Sequence, residues 1–494
     1  MDLTNAYADL AGDLMATAPI TLLAVLGLIA VVVDSFRNDH RSVPWIAGVG
    51  LGVALVWELT RLNDPAGTAF YGMLRTGGFA SFVNVVILLG AGLSVELCGT
   101  YLKRIKHNYG EVYAIILFAT VGMMVLGASN NLISVFVGLE TMSICLYVLT
   151  GLVRDDEGGI ESALKYFLLG AFATGFLLYG MALIYGATGT FYLPEIAAAV
   201  AINGASMLFW AGTGLLLVGF MFKVSAVPFH MWTPDVYQGA PTTITGFMST
   251  ASKTAAFASL ILVLFLAFPG DELSYPLAVI ALITMVLGNV LAVAQNNVKR
   301  MLAYSSVAHA GYVLVGLAAG SQAGYSGALY YMLIYTLMNI GAFGVMALLE
   351  WDDKEGREQT LDSLAGVGLR KPLLGWTMVF FMFSLSGFPP LGGFMGKVAV
   401  FAPAVEAGMV WLAIAGVLTS AVSAYYYLRV LVVFFMRSED EVRVPVANNA
   451  FPVPRSAAAV LIFCAAALLV LGVYPQLLEL TESYFASTAV ASLP

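Results

Sequence analysis

Gly219-Phe220-Met221-Phe222-Lys223-Val224-Ser225-Ala226-Val227-Pro228-Phe229-His230-Met231-Trp232-Thr233-Pro234-Asp235 runs on through Tyr237-Gln238-Gly239-Ala240-Pro241-Thr242 into a second apolar stretch that holds Lys253. A lysine inside an apolar segment long enough to cross a bilayer costs about 2.5–3.5 kcal/mol on the insertion scale. Such a residue normally faces a bundle interior, has a partner, and marks an ion or proton path. Here two such segments are adjacent, joined by a break rich in Pro, His and Trp. The stretch predicts a membrane protein with a buried, charged path through it.

The composition agrees. Hydrophobic residues make up 60% of the chain and charged residues only 11%, where a soluble chain carries about 25% charged residues. The net charge of −8 is therefore a property of short loops and says little about partners. No basic stripe points to nucleic acid. Cys98, Cys145 and Cys464 each stand alone, without a C-x-x-C, and the four histidines lack ligand spacing, so no metal site or disulfide framework is expected. Met1–Asp13 carries three aspartates and no Lys or Arg, the wrong sign for a cleaved signal peptide, so the first apolar run is expected to stay as a membrane helix.

A bilayer is crossed by about 20 apolar residues. Fourteen such segments are predicted, at 15–34, 44–60, 78–98, 111–127, 130–153, 161–186, 206–229, 241–268, 275–295, 298–319, 325–350, 373–403, 408–436 and 455–474. With the N-terminus outside, the inside loops hold Arg37, Arg41, Lys103, Arg104, Lys106, Arg154, Lys299, Arg300, Lys354, Arg357, Arg370, Lys371, Arg437, Arg443 and Arg455. The outside loops hold only Arg61 and Arg75, so the bias is 15 to 2 and places both ends outside. The other five basic residues, Lys165, Lys223, Lys253, Lys397 and Arg429, fall within spans. For Arg429, snorkelling or completion of a helix end is the expectation. Lys165, one turn after Glu161, reads equally as a helix-end pair or as a functional group. Lys223, Lys253 and Lys397 lie deeper and are expected to be functional, as is Glu140 near the middle of span 5. An ion pair between Glu140 and one of the lysines is expected, with the partner left open. His309 in span 10 and His230 at the span 7 break are either possible proton relays or satisfied core histidines.

Gly219-Phe220-Met221-Phe222-Lys223-Val224-Ser225 recurs as Gly393-Phe394-Met395-Gly396-Lys397-Val398-Ala399, with five of seven positions identical. Each copy has a proline break, at Pro228 in span 7 and Pro389-Pro390 in span 12. Proline removes a backbone donor, and freed backbone groups in a bundle must meet side chains or water. Five spans separate the copies, so a repeat of that length must be inverted, as in transporters. The expected fold is an all-α polytopic membrane protein of about 14 transmembrane helices, with two inverted five-helix repeats and discontinuous helices 7 and 12. Its expected units are 1–110, three helices; 111–268, the first repeat; 269–436, the inverted second repeat; and 437–494, the last helix and tail.

Several stretches together closely resemble the N-subunit family of proton-pumping NADH–quinone oxidoreductase, respiratory complex I. They are Gly138-Leu139-Glu140, Pro228–Tyr237, Gly239–Thr242, Lys299–Ser306, His309–Tyr312, and Ser386–Pro390 with Gly396-Lys397. The resemblance implies an antiporter-like module of the membrane arm that binds no redox cofactor, with NADH, flavin, iron–sulfur clusters and quinone handled by other subunits. It implies that Glu140 pairs with Lys223, that Lys253 is the central lysine, Lys397 the exit-side lysine, and Lys165 the lysine of helix 6. The partners implied are other membrane-arm subunits and the bilayer, in a bacterial cytoplasmic membrane. Burial disfavours an ammonium and a nearby carboxylate favours it, so separating Glu140 from Lys223 is expected to send a proton toward Lys253 and then Lys397. Two other possibilities remain: a subunit of an Mrp-type cation/proton antiporter, which would share the breaks, Glu140 and Lys223, and a passive spacer subunit, which would have no reason to keep buried charges.

Overall fold

Backbone polar groups find no water inside a bilayer, so a spanning chain satisfies them within helices. The computed structural model, which describes residues 3–36, 42–268, 270–350, 359–437 and 452–491, is built accordingly. Thirteen described helices are long and apolar enough to cross a membrane, and each of the fourteen expected spans is helical. A helix α1 (Leu3–Ala16) leads into α2 (Ala18–Phe36) and α3 (Ser42–Thr60). A small hairpin, β1 (Gly67–Ala69) antiparallel to β2 (Leu74–Thr76) with Gly67 opposite Thr76, joins α3 to α4 (Gly78–Arg104). Then follow α5 (Gly110–Gly127), α6 (Leu132–Thr150), α7 (Glu157–Thr188), the short connector α8 (Leu193–Asn203), α9 (Met207–Val224), α10 (Trp232–Gly239) and α11 (Thr242–Ala267). Beyond them lie α12 (Ser274–Val293), α13 (Val298–Ala318), α14 (Gln322–Leu349), the single turn α15 (Val367–Arg370), α16 (Pro372–Ser386), α17 (Gly392–Glu406) and α18 (Val410–Met436). The last span is α19 (Arg455–Val473), and α20 (Gln476–Ala491) docks Phe485 against Phe79 and Phe265.

Span 7 is thus α9 followed by α10, and span 12 is α16 followed by α17. Both first halves end in the same way. Ser225 is left-handed (φ 64°), with Ala226 N–H donating to Met221 O at 2.8 Å and Ser225 N–H to Phe222 O at 3.1 Å. Gly387 is left-handed (φ 84°), with Phe388 N–H donating to Phe383 O and Gly387 N–H to Ser384 O, both at 3.0 Å. This pair of bonds is the Schellman closure of a helix C-terminus. A cis proline follows in each, at Pro228 and Pro390.

Further features come in pairs. Asn131 caps α6 by accepting from Ile133 N–H at 2.8 Å, and Asn297 caps α13 by accepting from Arg300 N–H at 3.0 Å. Beside each cap a loop crosses: Leu132 N–H donates to Phe191 O and Leu193 N–H to Asn130 O, as Val298 N–H does to Gln359 O and Leu361 N–H to Asn296 O. In this correspondence Ser225 answers to Gly387, and the two lysines do not answer to each other. Lys223 precedes its left-handed residue, whereas Lys397 lies in the helix after the break. The seven-residue match around the lysines is therefore out of register with the breaks. A short match among Gly, Phe and Met comes from apolar composition, whereas caps and prolines are dictated by the backbone.

The α14 helix is buried from Gly324 to Leu349, and α11 and α13 nearly throughout. A helix apolar all round belongs in the centre, and these three form the core on which the site is built. Outward faces of α2 and α3 carry exposed Leu28, Val32, Trp45, Val49 and Val56. Arg429 donates to the carbonyls of Val293 and Gln295, both at 3.4 Å, and so completes the C-terminal end of α12. Of the expected inside basic residues, Arg37, Arg41, Lys354, Arg357 and Arg443 lie outside the described residues.

Candidate functional site

Residues three and seven apart share one face of a helix. On α6 this rule aligns Glu140, Ser143 and Tyr147 toward α7 and α9. Lys223, 5% exposed at the end of α9, donates to Ser143 Oγ at 2.7 Å and reaches Tyr147 OH at 3.5 Å. Its ammonium lies 5.4 Å from the Tyr147 ring centre and 5.6 Å from that of Tyr166. Tyr166 is stacked on Trp232, centroids 4.5 Å apart, and Trp232 Nε1 donates to Phe222 O at 3.0 Å. The break thereby sends an aromatic back to cover the lysine. Glu140 is half-buried and accepts from Thr174 Oγ1 at 2.7 Å. Among the described residues no salt bridge within 4.0 Å joins Glu140 to a lysine. The expected Glu140–Lys223 ion pair is thus not formed. Lys223 donates its hydrogen bond to Ser143, one turn along α6, and Glu140 acts on it only through space.

Lys253, 2% exposed on α11, donates to Ser306 Oγ at 2.5 Å and Ser306 O at 3.0 Å. Ser306 Oγ also accepts from Tyr335 OH at 2.8 Å, and Tyr335 OH accepts from Asn339 Nδ2. One turn along α13, His309 Nδ1 lies 2.6 Å from Tyr331 OH and Nε2 lies 3.0 Å from Tyr427 OH. Tyr427 OH is in turn bonded to Ser305 Oγ. His309 stands within electrostatic reach of both Lys253 and Lys397. A further turn on, Tyr312 presents its ring 5.1 Å from the Lys397 ammonium. Lys397, 5% exposed on α17, donates to Ser386 O at 2.9 Å, Leu385 O at 3.2 Å and Ser420 Oγ at 2.6 Å. Those two carbonyls end α16, so the break supplies the acceptors for the lysine. The α13 stripe Ser306, His309, Tyr312 carries hydrogen-bonding groups from Lys253 to Lys397.

Lys165 is elsewhere. It lies 2.6 Å from Glu161 Oε1 and 2.8 Å from Asp235 Oδ2, with its side chain 41% exposed. Arg300 Nη1 bonds the other oxygen of Asp235 at 2.7 Å. These groups rim a cavity of about 410 Å³ whose lining includes Glu161, Lys165, Asp235, Lys299, Arg300 and Glu350. Its lining also includes Ile105, Val153 and Asp156, beside the basic residues Arg104, Lys106 and Arg154 in sequence. Glu350, 2% exposed, accepts from Tyr101 OH at 3.0 Å and from Thr242 Oγ1. Asp235 bridges α7, α10 and α13, and Asp235→Asn is expected to destabilise the assembled protein by roughly 1 kcal/mol. A thermal unfolding comparison checks this, with the difference shrinking at high salt as the pairs are screened.

His230 sits half-buried at the first break, with a buried Nδ1 that has no well-aligned hydrogen-bond partner among the described residues, and it is hydrogen-bonded to neither Lys223 nor Lys253. Among the described residues no three His, Cys, Asp or Glu side chains converge as a metal site. Ser143, Tyr147, Asp235, Ser306, Tyr335 and Tyr427 are site residues that sequence reasoning missed. Ser143 and Tyr147 had a signal, their helical spacing from Glu140, and Asp235 and Ser306 stood in the stretches that carry the resemblance; Tyr335 and Tyr427 had none that singles them out from ordinary core polar residues.

A helical bundle with two broken helices and a line of buried lysines is a membrane ion-translocating module of the secondary-transporter type. The family described as NADH:quinone oxidoreductase/Mrp antiporter, TM, matches residues 129–423. NADH-quinone oxidoreductase subunit N of Salinibacter ruber is 60% identical over 100% of both chains. A chain of respiratory complex I from Thermus thermophilus is 36% identical, covers 93% of this chain and 97% of its own, and superposes with a TM-score of 0.80. A chain of the Mrp complex from Dietzia sp. has a TM-score of 0.85, covering 97% of this chain and 100% of its own, at 20% identity. That last likeness concerns the fold alone. The chain belongs to the NADH:quinone oxidoreductase/Mrp antiporter membrane family, and within it to the N subunits of NADH-quinone oxidoreductase.

Proposed function

We propose that this chain is the antiporter-like membrane-arm subunit of a proton-pumping NADH–quinone oxidoreductase. It translocates protons through buried side chains, driven by quinone reduction elsewhere in the complex. The observation that carries this is a row of three hydrogen-bonded groups along α13, one around Lys253 and Ser306, one around His309 and its tyrosines, and one around Lys397 beside Tyr312. Lys223 and Glu140 form the input pair. Lys223 is engaged by Ser143 while Glu140 stands off, and approach or withdrawal of the carboxylate switches the lysine's hold on its proton. Lys165, with Asp235 and Arg300, shapes the charged cavity at the uptake end. His309 relays between Lys253 and Lys397; His230, not hydrogen-bonded to the lysines, serves the break. The chain contributes no redox centre, and NADH, flavin, iron–sulfur clusters and quinone belong to other subunits.

Two five-helix units, 111–268 and 269–436, form the translocating body, flanked by 1–110 and 437–494. The paired caps and breaks support this division. The chain lies in the cytoplasmic membrane of a bacterium with both termini on the periplasmic side, among other membrane-arm subunits. Lys103, Arg104, Lys106, Arg154, Lys299, Arg300, Arg370, Lys371, Arg437 and Arg455 against Arg61 and Arg75 support that orientation. The Mrp reading shares the fold, and its chain is less similar in sequence. Tagging this chain and purifying it from native membranes separates the two. The expected result is co-migrating NADH–quinone reductase activity that acidifies the lumen of inverted vesicles. Sodium-dependent proton exchange without any response to NADH would establish the antiporter reading instead.

A further inference from the structure

The Lys223 group and the Lys253 group share no hydrogen bond among the described residues, yet one side chain lies between them. Tyr237, on α10, is 0% exposed. Its ring packs edge-on against Trp232, centroids 6.0 Å apart, and against Phe343 at 6.3 Å. Trp232 is the indole stacked on Tyr166 beside Lys223. The Tyr237 hydroxyl lies beside Ser306, which holds Lys253, and within electrostatic reach of Tyr335 and Tyr166. That hydroxyl is buried and has no well-aligned hydrogen bond among the described residues, its neighbour being Ser306. An unmet buried hydroxyl is a cost that phenylalanine would avoid. The aromatic contacts alone would be met equally well without the oxygen.

We propose that the Tyr237 hydroxyl is the link that passes protons between Lys223 and Lys253. This rests on the proton-translocating reading above. A phenol is both donor and acceptor, so the transfer balances without charge resting on it. A proton leaving the Lys223 ammonium reaches the Tyr237 oxygen through water. The Tyr237 proton passes to Ser306 Oγ, and the Ser306 proton to the Lys253 amine. Lys223 becomes neutral, Lys253 becomes an ammonium, and both hydroxyls are restored. With no well-aligned bond to hold it, the hydroxyl can turn from Ser306 to the Lys223 side.

The test is Tyr237→Phe in the complete enzyme in native membranes, alongside Lys223→Ala. Tyr237→Phe is expected to assemble at wild-type level, because it breaks no well-aligned hydrogen bond and keeps the ring contacts with Trp232 and Phe343. Coupled quinone reduction and proton translocation should fall together by about tenfold or more. The solvent deuterium isotope effect should rise and the decline in rate with increasing pH should steepen, as proton delivery becomes limiting. Unchanged pumping in Tyr237→Phe with pumping lost in Lys223→Ala would overturn the assignment and leave the translocation reading standing. Unchanged pumping in both would overturn both. Failure of Tyr237→Phe to assemble would also overturn the assignment, by showing that the hydroxyl is structural.

Discussion

Lys223→Ala is expected to leave the complex assembled while proton translocation falls by about a hundredfold or more, with quinone reduction falling alongside it. Lys223 is 5% exposed and, among the described residues, has one close hydrogen bond, to Ser143, with a longer approach to Tyr147 and no salt bridge. A buried charge without a counter-ion is a burden on folding rather than a support, so its removal should not cost assembly. Ser143 Oγ keeps its own bond to Leu139 O, and only the long approach to Tyr147 OH is lost besides. Lys223→Arg sharpens the result. Arginine keeps the positive charge and cannot give up its proton. If the site needs only a cation to hold Ser143 and the tyrosines, arginine restores activity. If the site works by releasing and regaining a proton, arginine is as inactive as alanine. Proton uptake by inverted vesicles, normalised to assembled enzyme on a native gel, reads both variants. Full activity in Lys223→Arg would remove titration of this lysine from the mechanism.

The second large effect is structural. Gly393→Ala is expected to prevent assembly, with a destabilisation of about 3 kcal/mol or more. Gly393 opens α17 just after the second break, where a Cβ would lie 1.8 Å from the Ser384 carbonyl oxygen and 2.6 Å from its carbon. Those are backbone atoms of α16 and cannot swing aside. Gly393 N–H also accepts no substitute geometry, since it donates to Ser384 Oγ at 3.1 Å. Moving α17 would pull Lys397 off the carbonyls of Leu385 and Ser386. Gly175→Ala is the matched control, because nothing lies within 4 Å of its built Cβ. Subunit content of the membrane complex measures both. Normal assembly of Gly393→Ala would mean that the two halves of span 12 are free to move apart.

Much of this architecture was legible in the chain. Every expected span is a helix, because about 20 apolar residues in a bilayer have no other way to satisfy their backbone. Both breaks fall where Pro228 and Pro389-Pro390 stand, since proline acts on its own turn. Arg429 finishes a helix end as its terminal position suggested. The partners were less legible. Glu140 and Lys223 were expected to touch, and a serine stands between them instead. Their separation depends on the rotation of α6 against α9, which a rotation of a fraction of a turn would change. The match around Lys223 and Lys397 suggested equivalent lysines, and the matched breaks set them on different halves of their helices.

The class of protein, its spans, the two helix breaks and the buried lysines were determined by the sequence alone, because the cost of placing a charge or a proline in an apolar helix is local to that residue. Which hydroxyl, carbonyl or imidazole answers each lysine was decided only by the tertiary structure. Those partners lie 11 to 80 residues away along the chain, and only the packing of helices about α11, α13 and α14 brings them within hydrogen-bond reach.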